Sequence, residues 1–305
     1  MLSQKQIEER VNYIGGSDAA AVLGVSHWST PLKIWAEKTG ELPHEDISDR
    51  LPVRLGHALE DTVAQLFSEE TGKKVYRVNS TLFHPQYPFI AVNLDRRIVG
   101  EKAFLEAKTT SAWKRKDWEG DEIPQEYIVQ CLHGLAVTGM ERAYLAVLIG
   151  NEGFKIKTIE RDEKLLNEVI NREVRFWNDF VVPKVMPKSI SKNDSETIQR
   201  LFPEAIQGKE VYLGDDAKQI IELLEGMKQD SKHLDGLIQQ KENELKALIK
   251  ENEIGVVGDK RVMWTNRKSR RLDMSLIKEE IPDIYLKYAK EVNSRFLQIK
   301  TIGGF

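Results

Sequence analysis

The sequence predicts an α/β fold followed by a helical plus small β C-terminal region. Three observations predict it. The apolar period changes from helical to alternating after Gly72, and it returns to helical from Pro124. Beyond a polar, irregular stretch, residues 215–252 form one long helical run. With 305 residues, 41% of them apolar, the chain can hold one large domain plus a smaller appendage.

In chain order, residues 1–13 read as helix, with Ile7 and Val11 four apart. Ile14-Gly-Gly-Ser-Asp18 is a turn in which Ser17 or Asp18 caps a helix over 19–23. Pro31 opens a helix through Glu37, and 41–49 is loop. The spacing of Leu55, Leu59, Val63, Leu66 and Phe67 predicts a helix over 51–71, stopped by Gly72. Strands are expected over 75–82, 89–99 and 103–109, the last two as an antiparallel hairpin across Gly100-Glu-Lys102. A helix over 124–138, strands over 143–149 and 154–159, and a helix over 162–181 complete a core of residues 1–182. Residues 183–214 read as linker and 215–305 as a C-terminal region. There, Ile220, Leu224, Met227, Leu234, Ile238, Leu245 and Leu248 make a seam of heptad character that something must cover. It would pack on its own chain, a sister subunit or a partner. A hairpin (254–257 and 260–266), a helix over 274–292 and a strand over 295–302 follow.

Composition narrows the function. A net charge of −3 argues against a generic nucleic-acid coat, yet is compatible with an enzyme whose positive charge is local. Basic clusters lie at 108–116 and 260–271. No apolar run approaches the roughly 20 residues of a membrane span, and the N-terminus is not of signal-peptide type. The single cysteine, Cys131, excludes an intrachain disulfide and a multi-cysteine zinc site, and fits a reduced, cytoplasmic compartment. His57, His84 and His133 are scattered and read as structural or exposed.

The strongest chemical signal is Asp95 with Glu106-Ala107-Lys108. Side chains two apart on a strand share a face, so Glu106 and Lys108 point the same way, and the hairpin sets Asp95 beside Glu106. Two carboxylates emerging from apolar strands suit an oxygen-preferring cation such as Mg²⁺, and an adjacent amine can hold a water for attack on a phosphodiester. The plainer alternative is a surface strand with alternating charges.

Four blocks in order carry a resemblance: Tyr13-Ile-Gly-Gly-Ser-Asp-Ala-Ala20, Leu55-Gly-His-Ala-Leu-Glu60, Asp95 with Glu106-Ala-Lys108, and Tyr127-Ile-Val-Gln130 with Val137-Thr-Gly139. Together they resemble the YqaJ-type viral recombinase (phage lambda exonuclease) family of the PD-(D/E)XK nuclease superfamily. The resemblance spans about residues 10–145, and the C-terminal third is only loosely similar to other members. It implies a restriction-endonuclease-like core, a central mixed sheet flanked by helices. It implies Mg²⁺, or Mn²⁺ as substitute, on Asp95, Glu106 and the Ala107 carbonyl, with Lys108 orienting water and Glu60 and Gln130 completing the catalytic group. It also implies a 5′-phosphate site at Arg10 and Ser17.

Around that centre, Asn93 shares the face of Asp95, and Tyr127 is one turn before Gln130. Lys114 and Arg115, flanked by Trp113 and Trp118, suit contacts to DNA ends or single strands. Val92-Asn93-Leu94 stands where relatives often have a serine or alanine and a proline, and Leu132 where many have a second glutamine. The implied activity is 5′ to 3′ digestion of linear double-stranded DNA by a ring-shaped homo-trimer in the host cytoplasm. It would leave 3′ tails for a single-strand annealing protein, with no membrane involved. An endonuclease or nickase on the same core, a non-catalytic DNA-end-binding scaffold, and a partner-docking role for the long helix are the alternatives.

Overall fold

The computed structural model describes residues 9–188, 190–291 and 295–300, and Ile7 with the first eight positions lies outside them. They form two compact units, Met1–Phe202 and Pro203–Phe305.

The first unit contains α1 (Gly16–Val22), α2 (Pro31–Thr39) and α3 (Leu51–Thr71), then strands β1 (Val75–Arg77), β2 (Leu82–Phe83), β3 (Ala91–Val92), β4 (Arg96–Ile98) and β5 (Ala103–Thr110). Next come α4 (Gln125–Thr138), β6 (Arg142–Ile149), β7 (Gly153–Glu160), α5 (Glu163–Phe176) and α6 (Ser195–Leu201). The main sheet has the order β1-β4-β5-β6-β7. Its β5–β6 pair is parallel, and the other pairs are antiparallel. A parallel pair needs a crossover, and α4 supplies it.

Alternation along β5 assigns its faces. Ala103 and Leu105 pack with Val63 and Phe67 of α3. Phe104 packs with Cys131, Leu132 and Leu135 of α4. Residues 103–106 are buried and 107–110 half-buried, so the strand leaves the core midway. Thr30 caps α2 ahead of Pro31, and Gly72 ends α3 at φ 70°. In the N-terminal half of α3 Leu51 and Leu55 are exposed and Leu59 is half-buried, and the stripe is fully buried only at Val63, Ala64 and Phe67.

Several expectations need correction. The strand expected over 89–99 is two strands. β3 pairs with β2 in a separate ribbon, and β4 pairs with β5. Between them the Asp95 carboxylate accepts the Ala107 N–H at 2.8 Å, replacing a ladder bond. The strand expected over 75–82 divides likewise into β1 and β2. The helix over 162–181 loosens after Phe176 into a wide turn, Trp177–Val181. α1 begins at Gly16, earlier than expected, because the Asp18 side chain takes the Gly15 N–H from inside the first turn.

The first unit also continues beyond residue 182. The stretch expected as linker contains α6, whose Ile198 and Leu201 pack against the Leu32 and Trp35 cluster, while Thr30 donates its hydroxyl to Asp194.

The second unit holds α7 (Asp215–Ile249), the hairpin β8 (Ile254–Val257) and β9 (Lys260–Met263), then α8 (Met274–Glu280) and α9 (Pro282–Tyr288). Pro282 splits the helix expected over 274–292, since the residue before a proline avoids helical geometry. Val292 lies outside the described residues. Residues 295–300 form no strand, and 301–302 lie outside the description. Among the described residues no helix is long and apolar enough to cross a membrane.

Candidate active site

The site forms where β5 leaves the core. Arg96 pairs with Leu105 across the β4–β5 ladder, so Asp95 and Glu106 are the next residues along. Glu106 is 5% exposed and points to α4, where Gln130 donates its amide to it. Lys108, two residues on, places Nζ 2.7 Å from Glu106 Oε1 and 5.7 Å from the Tyr127 ring centroid. Tyr127 stacks at a tilt on Trp118, which is buried, whereas Trp113 is exposed.

Burial, reinforced by the Glu106 charge, pushes the Asp95 carboxyl up to about 8, against the relief offered by Lys108. Burial alone would lower the Lys108 pKa, but the Glu106 and Asp95 charges outweigh it and hold the amine above its ordinary range. Two acids forced together with one ammonium are an under-compensated cluster of negative charge.

That donor set fits a hard divalent cation. Mg²⁺ commonly takes only one or two carboxylates and keeps water or phosphate oxygens for the rest of its shell. Asp95 and Glu106 supply two such groups. Among the described residues no group of three or more acidic, histidine or cysteine side chains gathers at one metal position. Glu60 projects from α3, and its carboxylate is taken by Arg96. Arg96 is 4% exposed, also contacts Asp61 and the Asp95 carbonyl, and ties the long helix to β4.

A cleft of about 800 Å³ joins this centre to the N-terminal turn. Asp95, Glu106, Ala107, Lys108, Glu60 and Gln130 line it, with Asn93, Arg10 and Ser17 further along. Arg10 donates to Ser17 Oγ at 2.7 Å and lies 3.3 Å from Asp18. Lys38 bonds to Asp18 at 2.8 Å and to the Arg10 carbonyl at 2.6 Å. Burial opposes ionisation of Asp18, but Lys38 and Arg10 prevail and hold its carboxyl far below the usual range. Asn93 Oδ1 accepts from the Thr81 hydroxyl. Gly16 sits close to Gln130: a Cβ there would be 3.4 Å from the Gln130 side chain, so α1 and α4 meet at the cleft floor.

Of the expected residues, Tyr127 touches the centre through Lys108 but does not line the cleft, and Lys114 and Arg115 do not line it either. Lys114 lies over the Trp28 ring at 4.8 Å, and Arg115 binds the Glu152 carbonyl at 3.2 Å. His57 is exposed at the cleft rim. His133 is fully buried, 2.8 Å from Glu173 and 2.9 Å from the Ala91 carbonyl.

Sequence reasoning missed Asp18, Lys38 and Arg96 as organisers of this cleft. Only Asp18 had a local signal, the Gly-Gly-Ser-Asp turn. The other two act through contacts 20 or more residues away.

A family model, the YqaJ-like viral recombinase domain, matches residues 7–141. The chain is 39% identical over 297 residues to the uncharacterized protein YqaJ of Bacillus subtilis (strain 168), covering 96% of this chain and 93% of that protein. Among solved structures, an alkaline exonuclease (LHK-Exo) from Laribacter hongkongensis superposes with a TM-score of 0.51 at 17% identity, covering 60% of this chain and 94% of that one. The same exonuclease in complex with dAMP gives 0.53 at 18% identity, covering 65% and 97%. At these identities the likeness is one of fold, the PD-(D/E)XK α/β class with a central mixed sheet between helices.

Proposed function

Since this chain belongs to the YqaJ-like viral recombinase family, we propose that it is a metal-dependent exonuclease acting on ends of linear double-stranded DNA. The reading is supported above all by one cleft that unites the Asp95, Glu106 and Lys108 cluster with the Arg10 and Ser17 pair. The exonuclease named among its structural neighbours makes the chemistry concrete.

In this reading Asp95, Glu106 and the Ala107 carbonyl hold Mg²⁺, with Mn²⁺ as substitute. The cation, when bound, supplies positive charge at the phosphate and eases deprotonation of water. Lys108 orients that water and offsets charge on the phosphate oxygens. Gln130 fixes the Glu106 carboxylate, and Arg96 fixes Glu60 at the cleft edge. Attack of water on phosphorus breaks the bond to the 3′ oxygen, which leaves with a proton and frees a 5′-mononucleotide. Arg10 and Ser17 take the terminal 5′-phosphate, and Asn93, in the same cleft, contacts the DNA beside them. Lys114, Arg115 and Tyr127 would contact DNA beyond the cleft. Polarity would be 5′ to 3′, leaving 3′ tails for an annealing protein. The homo-oligomer would be a ring in the host cytoplasm, by family likeness.

The test is digestion of 5′-phosphorylated linear duplex with Mg²⁺ by wild type, Asp95→Ala and Lys108→Ala, with circular duplex as control. Loss of cleavage in both variants is expected, and equal cleavage by all three proteins would sink the assignment. Attack on circles would favour an endonuclease or nickase. Binding of ends with no wild-type cleavage would favour a scaffold. A 5′-hydroxyl end should slow the wild type, and an equal rate would remove the Arg10 and Ser17 pocket.

A further inference from the structure

The Arg10 and Ser17 pair stands on a buried charge cluster that the cleavage chemistry does not use. Lys38 reaches it from the last turn of α2. Its Nζ donates to Asp18 Oδ2 at 2.8 Å and to the Arg10 carbonyl at 2.6 Å. The Tyr13 ring lies beside the ammonium, its centroid 5.9 Å away. Asp18 Oδ2 also accepts the Gly15 N–H at 3.1 Å. The other oxygen, Oδ1, meets Arg10 Nη2 at 3.3 Å, and that same nitrogen donates to Ser17 Oγ at 2.7 Å.

One guanidinium nitrogen therefore has two claimants, and the hydroxyl has the shorter contact. A carboxylate is by nature the stronger acceptor, since hydrogen bonds to ionised groups outweigh neutral ones. Its hold on Arg10 is loose here because Lys38 occupies its other oxygen. Burial works against the charge on Asp18, and Lys38 first and Arg10 second outweigh it. Two cations and one carboxylate leave one positive charge over, on the Ser17 side of the cluster.

We propose that Lys38 is a positioning residue that sets how strongly the cleft prefers a 5′-phosphorylated end, by holding Asp18 off the Arg10 guanidinium. The inference rests on the reading in which Arg10 and Ser17 take the terminal phosphate. Without the Lys38 amine, Asp18 is a buried carboxylate short of a partner, which is costly. It regains one by drawing Arg10 into a two-pronged pair. The guanidinium then leaves Ser17, and no positive charge is left over for a phosphate. A hydroxyl end brings no charge and loses little.

The test is binding by the full chain of a fluorescent hairpin duplex whose one open end carries a 5′-phosphate or a 5′-hydroxyl. Anisotropy in EDTA reads the two dissociation constants without cleavage. Lys38→Met keeps the length and apolar stem of the side chain and removes the amine. It should cut the preference for phosphate about tenfold, the loss of one hydrogen bond to a charged group, and leave hydroxyl-end affinity nearly unchanged. In Lys38→Met/Asp18→Asn the competing charge is gone, while the amide oxygen still accepts the Gly15 N–H. The preference should then return to that of wild type, a requirement that holds even if Lys38→Met alone does not fold. A Lys38 that merely props up the fold would weaken both ends alike and regain nothing in the double variant, and either result overturns the proposal. An undiminished preference in Lys38→Met overturns it too, while leaving the Arg10 and Ser17 pocket standing. Equal binding of both ends by the wild type removes the pocket itself, and this inference with it.

Discussion

The two units solve the burial problem differently. The first packs one apolar cluster against each face of β5 and gathers a third around α2. In the described part of the second, Ile249 is the one buried apolar side chain, although Leu, Ile, Met and Val recur throughout. A unit with its own core can hold charged groups in strained proximity, because packing offsets the cost. A unit without one leaves its apolar surface to be covered from outside itself. Chemistry is expected from the first and association from the second.

The comparison breaks most decisively at Lys108. Lys108→Ala should lower kcat by about 10²–10³-fold, the usual loss for a positioned charge donor, while leaving sedimentation of the full chain unchanged. A parallel loss of association would merge the roles assigned to the two units.

Next in size is the buried pair joining α4 to α5. Glu173→Ala strands His133 in the core and should destabilise the first unit by about 3–5 kcal/mol. Calorimetry would measure the drop in Tm. A loss under about 1 kcal/mol would mean that the pair behaves like an exposed one.

Packing gives a smaller effect. A Cβ on Gly134 would lie 2.7 Å from Phe104 Cζ, so Gly134→Ala should cost about 1–3 kcal/mol by overpacking. Hydrogen exchange should report it across β5 and α4 and not in α7.

The subtlest prediction concerns pH. In the metal-free protein Asp95 is raised from 3.8 to about 8. The unfolded chain ionises near the lower value and the folded chain near the higher one. The folded state therefore loses stability as pH rises through that window and levels off above it. Asp95→Asn should flatten that slope, raise Tm near pH 8 without metal, and abolish cleavage. A wild-type Tm indifferent to pH over this range, without metal, would mean that Asp95 is not under such pressure.

Much of the centre was legible because it is local. The Glu106–Lys108 spacing puts both side chains on one strand face, and the short hairpin brings Asp95 alongside. The start at Pro31 and the stop at Gly72 were equally readable, since each acts within one turn. The break at Asn93–Asp95 was not. Phe89–Val99 alternates well enough for one strand, and only the carboxylate's claim on the Ala107 N–H divides it. Nor did sequence reveal that Arg96 would hold Glu60 and Asp61, or that residues 195–201 would fold onto α2.

Periodicity and spacing by themselves determined the α/β class and that Glu106 and Lys108 share one strand face, because these depend on neighbours a few positions away. The tertiary structure alone decided that Arg10 and Ser17 share a cleft with Asp95, that Lys38 anchors the turn between them, and that Lys114 and Arg115 point elsewhere. Such pairings join residues far apart in the chain, and the energy that selects them is that of the whole packed core rather than of any local segment.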